Sequence, residues 1–341
     1  MSFLPTRNCI RLFLIPTVVV LAGAAPARAD MLEPRSPAWQ LSEPFKKSSD
    51  ARTNISGAAC ATTDTPISSC LVVNDEKKYA QFFAIEGTTI KPGKVIRLLS
   101  DQASGDPDAE GAAYDQGEGY FYVVGSHGRK RHHPEDSNPT SYHVFRIPVD
   151  KATGKPPFPI SDDEVVGVEA SATRLRGAIK DALPAAYDKP LGDNGANIEG
   201  IAVAGGRMYL GFRGPSDDGK AYVLSVDAKA VFTEDKPLDA KLIDPPLPLG
   251  ATTGIRDLAA VSGGLLLLTG PVNEQPITPA VVFYDTNRGK LGPSHTLKVA
   301  DTAAKAESLL VLGDVSGQPW RVLVMFDGPE NGSPTQYLVP R

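Results

Sequence analysis

Asn197-Ile-Glu-Gly-Ile-Ala-Val-Ala-Gly-Gly-Arg-Met-Tyr-Leu-Gly-Phe-Arg-Gly-Pro215 reads as a β-hairpin. Ile198 to Val203 is a short apolar strand, Ala204-Gly205-Gly206 supplies a turn that tolerates positive φ, and Met208 to Phe212 is a second strand rich in large side chains. Antiparallel pairing brings Glu199, which opens the first strand, and Arg213, which closes the second, to one end of the hairpin.

Weaker copies of this unit recur. The first strands align as Asn54 to Ala59, Asp108 to Ala113, Asn197 to Ala202, Gly254 to Ala259 and Lys305 to Leu310. Their third positions are Ser56, Glu110, Glu199, Arg256 and Glu307, separated by 54, 89, 57 and 51 residues. Spacing near fifty residues is the signature of a propeller or a solenoid. Third strands follow at Tyr79 to Ile85, Tyr142 to Val149, Lys220 to Val226, Ala280 to Tyr284 and Thr335 to Val339. Outer strands fit Val95 to Leu99, Val165 to Glu169, Ala240 to Ile243 and Thr296 to Val299. Four strands per copy make a propeller blade. The fold class is therefore all-β, a β-propeller of five four-stranded blades.

The last copy reaches Arg341 after its third strand, so Ala38 to Phe45 is expected to supply the missing outer strand and close the ring. Six blades, with 156–195 as an irregular extra unit, is the alternative. A solenoid would need polar terminal caps, which the end copies lack. The long spacing holds one non-β insertion, residues 151–196. Within it Leu175, Ile179 and Leu183 recur at four-residue steps before Pro184, which predicts a helix over Ser171 to Leu183. It either packs over a blade edge or forms a lid over the ring's mouth.

Residues 1–29 carry Arg7 and Arg11, the apolar run Leu12 to Ala25 and the small-x-small sequence Ala27-Arg28-Ala29. This is the pattern of a secretory signal cleaved before Asp30, leaving 30–341 as one propeller domain. Cleavage removes three basic and no acidic residues, taking the net charge from −5 to −8. Such a chain suits neither nucleic acid nor an anionic membrane surface. No membrane span is expected in the mature chain, which reads as a periplasmic or secreted monomer. Its expected partners are a small polar molecule or another protein. Export leaves Cys60 and Cys70 in an oxidising compartment, where an even pair is expected as a disulfide stapling two adjacent strands.

The loop Gly128-Arg-Lys-Arg-His-His-Pro-Glu-Asp-Ser-Asn138 is the one dense basic run of the mature chain. His132 and His133 are adjacent and follow three cations, which disfavours a metal site and favours a solvated loop. Neither a nucleophile elbow nor a phosphate-cradling loop is present.

Asp108-Ala-Glu-Gly-Ala-Ala with Val124-Gly-Ser-His127, and Asn197-Ile-Glu-Gly-Ile-Ala with Leu210-Gly-Phe-Arg213, resemble the paired signatures of the bacterial domain of unknown function 3616 family. The resemblance runs from about Ile55 to Leu338 and includes the corner Asn74-Asp75-Glu76. It implies a propeller-like fold and supplies no catalytic residues. Glu110 and Glu199 also show a looser local likeness to calcium-dependent lactonase propellers, whose metal-binding glutamate sits in a Glu-Gly pair opening an inner strand. Their asparagine and aspartate ligands have no assured counterparts here.

In a propeller the first strand of each copy is innermost, so Ser56, Glu110, Glu199, Arg256 and Glu307 are expected to ring one mouth of the central channel. The returning strands bring Asp75, His127, Arg213, Thr269 and Asp327 to the same mouth. One consequence is mutual neutralisation, Glu199 with Arg213 and Arg256 with Glu110 or Glu307. The other is a binding site for a small polar ligand, with Glu110, Glu199 and Glu307 as oxygen ligands for a hard cation such as Ca²⁺. A metal-dependent hydrolase of lactones or phosphoesters, with His127 as acid or base, is the enzymatic alternative. A protein-interaction scaffold with a structural, salt-bridged channel is the third.

Overall fold

A computed structural model describes residue 1 and residues 31–341, apart from 47, 63–66, 131–134 and 172–173. The expected signal segment and the pair His132 and His133 lie outside the described residues. Four strands build blade 1: β2 (Ile55–Cys60), β3 (Ile67–Asn74), β4 (Tyr79–Glu86) and β5 (Thr89–Arg97), with the two-residue β1 (Gln40–Leu41) parallel outside β5. Blade 2 is β6 (Ala109–Asp115), β7 (Tyr120–Gly125), β8 (Val144–Pro148) and β9 (Glu169–Ser171). Blade 3 is β10 (Asn197–Ala204), β11 (Arg207–Gly214), β13 (Val223–Asp227) and β14 (Lys241–Leu242), beside a small pairing of β12 (Lys220–Ala221) with β15 (Leu247–Pro248). Blade 4 is β16 (Thr253–Val261), β17 (Gly264–Pro271), β18 (Ala280–Asp285) and β19 (Lys290–Thr296), and blade 5 is β20 (Lys305–Gly313), β21 (Trp320–Asp327) and β22 (Thr335–Val339). The result is a five-bladed β-propeller.

The turn of the central hairpin forms as expected: Ala204 pairs with Arg207 across Gly205 and Gly206, both at positive φ. Two positive-φ residues give the turn whose twist matches the flanking strands. The core is divided among the blade junctions, each with its own apolar cluster. This explains the run Leu265-Leu266-Leu267-Leu268 in β17, fully buried on both faces because each face meets a neighbouring blade.

Outer strands were the least legible. Blade 4 closes with β19, Lys290–Thr296, rather than Thr296 to Val299. The Asp285 carboxylate caps the backbone N–H groups of Asn287 and Arg288, both at 2.9 Å, and Gly289 lies at φ 63°, so the chain reverses at once into a polar, mostly solvent-facing strand. In blade 1, Gly87 at φ 63° likewise starts β5 at Thr89, ahead of Val95.

Ring closure differs in detail from the expected fourth strand. The inner strand β20 packs against β2, which joins the last blade to the first. The N-terminal segment crosses outside this seam: Leu32 bridges Leu297, Arg35 N–H donates to Gln336 O at 2.9 Å and Trp39 N–H to Pro334 O at 2.7 Å. Within the expected segment Ala38 to Phe45, the regular pairing is that of β1 with β5 of blade 1, continued by Ser42 N–H on Ile90 O at 2.9 Å, and blade 5 keeps three strands. Trp39 and Phe45 are buried with Ile90, Leu312 and Met325 between blades 5 and 1.

A short helix α1 (Ser49–Thr53) precedes blade 1, and in the insertion α2 spans Arg174–Ala182. Leu175 and Ile179, followed by Leu183, pack between blades 2 and 3 against Val144, Leu210 and Phe212. Cys60 and Cys70 are directly opposite in the β2–β3 ladder and form a disulfide. No described helix is long and apolar enough to cross a membrane.

Candidate functional site

All five inner strands share one irregularity. The ladder steps from Ile55 to Gly57, Ala109 to Gly111, Ile198 to Gly200, Ile255 to Asp257 and Ala306 to Ser308, leaving one residue unpaired each time. The skipped residues are Ser56, Glu110, Glu199, Arg256 and Glu307. A β-bulge re-aims a side chain out of the pleat, and here it is repeated around the axis. The residue after each bulge explains the glycine of the Glu-Gly pairs. A Cβ on Gly57 would lie 2.7 Å from Gly111 Cα, and one on Gly200 2.7 Å from Asp257 Cα, so glycine lets the inner strands meet. Where blade 4 has Asp257 instead, its carboxylate accepts the N–H groups of Leu258 and, across the blade junction, Leu309, both at 2.7 Å.

The bulged residues divide into two arcs. Across blades 3, 4 and 5 the charges neutralise one another. Arg213 meets Glu199 at 2.8 Å, Arg256 reaches the other Glu199 oxygen at 3.3 Å, and Arg256 also donates to Glu307. Both guanidinium groups are further held by blade 4 carbonyls, Arg213 on Val272 O at 2.6 Å and Arg256 on Pro271 O at 3.4 Å. The expected pairs Glu199–Arg213 and Arg256–Glu307 thus form, with Arg256 bridging two carboxylates.

The arc of blades 1 and 2 lacks this compensation. Ser56 donates to Ala109 O, closing blade 1 on blade 2. Glu110 has no arginine at ion-pair distance among the described residues. Burial holds its carboxyl well above the usual range, Glu199, Asp108 and Asp75 push the same way, and Arg213 opposes them only in part. Asp75, in the turn after β3, therefore belongs to the Glu110 neighbourhood. Asp327 stands opposite Lys305 at the end of the β20–β21 ladder. Thr269 turns its hydroxyl to Ala280 O at 3.2 Å within blade 4.

His127 follows β7 at the same end, 1% exposed and at φ 52°. Neither ring nitrogen has a hydrogen-bond partner among the described residues. Burial, then Arg176 and His143, lower its pKa to about 3, so the imidazole is neutral at ordinary pH. Its ring stacks on Tyr142 at 6.0 Å. Beyond Gly128, whose added Cβ would lie 2.8 Å from Asn197 Nδ2, stands Asn197, with Oδ1 buried and unpartnered; the Tyr142 hydroxyl is in the same condition.

Arg176 of α2 carries the insertion to this place. It donates to the His127 carbonyl, lies over the rings of Tyr142 and Tyr187 at 4.2 and 4.4 Å, and pairs with Asp188 at 2.8 Å. The insertion is thus a packed buttress behind His127. Sequence reasoning missed Arg176, which belongs to no repeat, and read Tyr142 as the start of a third strand, whereas it ends the turn Pro139–Tyr142 ahead of β8. Asn197 had a signal that went unused: Asn54, Asp108 and Asn197 occupy one repeat position. At the far end the channel is lined by inner-strand residues that include Ala58, Ala112, Ala202 and Ala259.

A five-bladed β-propeller with its polar groups gathered at one channel mouth is the class that fold and site define. The chain belongs to the family described as protein of unknown function (DUF3616), whose model matches residues 61–152 and 181–336. No curated protein matches the sequence. Among solved structures, the α-L-arabinofuranosidase of Podospora anserina is 10% identical, with 89% of this chain and 96% of that chain covered and a TM-score of 0.45. The exo-β-1,3-galactanase of Phanerochaete chrysosporium is 11% identical, over 89% of this chain and 63% of that one, at a TM-score of 0.47. The periplasmic gluconolactonase of Pseudomonas aeruginosa is 16% identical, over 80% and 65%, at 0.37.

Proposed function

We propose that this protein binds a small polar ligand at the mouth of the propeller channel, on the side of blades 2 and 3. The observation that carries this reading is the set of buried polar atoms without partners, His127 Nδ1 and Nε2, Asn197 Oδ1 and the Tyr142 hydroxyl. Leaving such atoms unsatisfied costs about 1–3 kcal/mol each, so a native site that keeps several together is built to have them satisfied by something that enters. A polyhydroxylated or amide-bearing molecule supplies both donors and acceptors to this set.

The carboxylates fit a hard cation less well. Glu199 and Glu307 are engaged by Arg213 and Arg256, whereas Ca²⁺ requires several charged or carbonyl oxygens free to converge. A hydrolytic reading is favoured by the unpartnered nitrogens of His127 and opposed by its pKa of about 3, which makes the imidazole a weak base at neutral pH. Binding is the common requirement of both readings. We also take the mature protein to begin at Asp30 outside the cytoplasm, in keeping with its disulfide.

A thermal-shift screen of sugars, sugar lactones, polyols and amides, with and without Ca²⁺, tests the proposal on wild type, His127→Asn and Asn197→Ala. The expected result is stabilisation by at least one compound, lost in both variants. Turnover of a lactone or phosphoester, abolished in His127→Asn, selects the hydrolase. Absence of any stabilisation would leave a scaffold role instead.

A further inference from the structure

We propose that the cavity at the junction of blades 4 and 5 is a second binding site, which takes an uncharged, largely apolar small molecule and is independent of the polar site at the mouth. The cavity, about 670 Å³, lies between the connection 272–279 after β17 and the approach to β20 at 299–306. Pro271, Ile277, Pro279 and Val299 contribute apolar surface to its walls, and Thr278 and Thr302 stand among them as uncharged polar groups. A concave site of this volume, mostly apolar with a few placed polar groups, has the make-up of a small-molecule site.

Both walls are fixed before anything enters. Gln275 folds the connection on itself, its Oε1 accepting Asn273 N–H and its carbonyl Ile277 N–H, both at 2.8 Å. Val272 O on Arg213 Nε at 2.6 Å pins the start of the connection to blade 3, and Glu274 with Lys305 at 3.1 Å ties it across to the opposite wall. The charge is closed in the same way. Among the described lining residues the cations are Arg213, Arg256, Lys298 and Lys305, and each is paired with an acid of the chain itself. Arg213 meets Glu199, Arg256 meets Glu199 and Glu307, Lys298 meets Glu33 and Lys305 meets Glu274. Four cations against four carboxylates leave no excess of either sign for a ligand to meet. A charged ligand group would have to enter without a counter-ion or break one of these pairs, and either is costly away from water. The walls therefore select by shape and apolar contact, and exclude by charge.

Fluorescence titration with N-phenyl-1-naphthylamine, which is uncharged, and with 1-anilino-8-naphthalenesulfonate, the same frame carrying a sulfonate, tests this on wild type, Ala303→Trp and Ile277→Lys. Wild type is expected to bind the uncharged probe saturably and the sulfonate about tenfold or more weakly, because the added charge finds no partner. Ala303 is an exposed residue of the cavity rim, so the tryptophan fills the space without touching the ion pairs. It should abolish binding of the uncharged probe at unchanged melting temperature. Ile277→Lys adds a cation without a counter-ion to the wall and should reverse the preference, weakening the uncharged probe and strengthening the sulfonate. No binding of the uncharged probe, equal binding of the two probes by wild type, unaltered binding by Ala303→Trp, or an unreversed preference in Ile277→Lys would overturn the site. His127→Asn alters the mouth alone and should leave the uncharged probe bound as before. Loss of binding in that variant would mean that the probe reads the mouth, and would overturn the assignment to this cavity.

Discussion

Arg256 and Glu199 stand on the inner strands of adjacent blades, each skipped by its own ladder, and meet at 3.3 Å. Arg256, 2% exposed, also holds Glu307, so a single guanidinium on blade 4 compensates buried carboxylates on blades 3 and 5. Arg256→Leu preserves apolar packing volume but leaves both acids without this partner. Removing one member of a buried ion pair typically costs about 3–5 kcal/mol. Urea unfolding of the variant should show a loss of that order; a loss below about 1 kcal/mol would mean that the arc contributes little to stability.

The two titrating groups of the opposite arc should act in opposite directions. Glu110 has its folded pKa raised, so its contribution is complete below the unfolded value of about 4.3 and is lost as pH rises toward the folded pKa. Glu110→Gln should thus be near neutral at pH 4 and increasingly stabilising toward pH 7. His127 has its pKa lowered to about 3, so its contribution is complete above about 6.5 and is lost as pH falls. His127→Asn should gain relative to wild type between pH 7 and pH 4. Melting curves across that range check both slopes, and flat differences for both variants would contradict the burial-driven shifts.

Arg176 should act on His127 without touching a ligand. Its charge helps depress the imidazole pKa, and its bond to the His127 carbonyl fixes a residue at positive φ. In Arg176→Met the ring-packing stem remains and the charge is gone. The His127 titration midpoint, followed by NMR, is expected to rise; an unchanged midpoint would reduce Arg176 to packing alone.

The N-terminal strap offers a fourth test. Deleting residues 30–46 removes Trp39 and Phe45 from the seam of blades 5 and 1 and exposes the edges of β5 and β22. Loss of two buried aromatic side chains costs about 3–5 kcal/mol each, and free edges invite intermolecular pairing. Light scattering during a thermal ramp should detect aggregation at lower temperature than in the full chain; equal behaviour would show that β20 against β2 closes the ring unaided.

Legibility in the sequence followed the physics of each element. Inner strands could be aligned because the axis imposes one pattern on all of them, a third residue for the channel and a small or specially bonded fourth residue where backbones meet, as at Gly57, Gly111 and Gly200. Outer strands such as β19 face solvent, so side chains on them carry little pattern, and the apolar cue at Leu297 belonged to the contact with Leu32 instead. At the site, the pair Glu199–Arg213 was readable from a two-strand hairpin because one turn sets its register. The role of Arg176 was not, because it depends on how a 46-residue insertion folds back on His127.

The central claim, that the unpartnered groups around His127 receive a ligand, is tested most directly on the imidazole itself. Long-range ¹H–¹⁵N spectra of histidine-labelled protein contain five rings, and His127→Asn identifies the one concerned. The account predicts a neutral His127 ring at pH 6 whose nitrogen signals move on titration with the compound that stabilises the fold. A His127 ring already protonated at pH 6, or signals unmoved by every compound that binds, would contradict it.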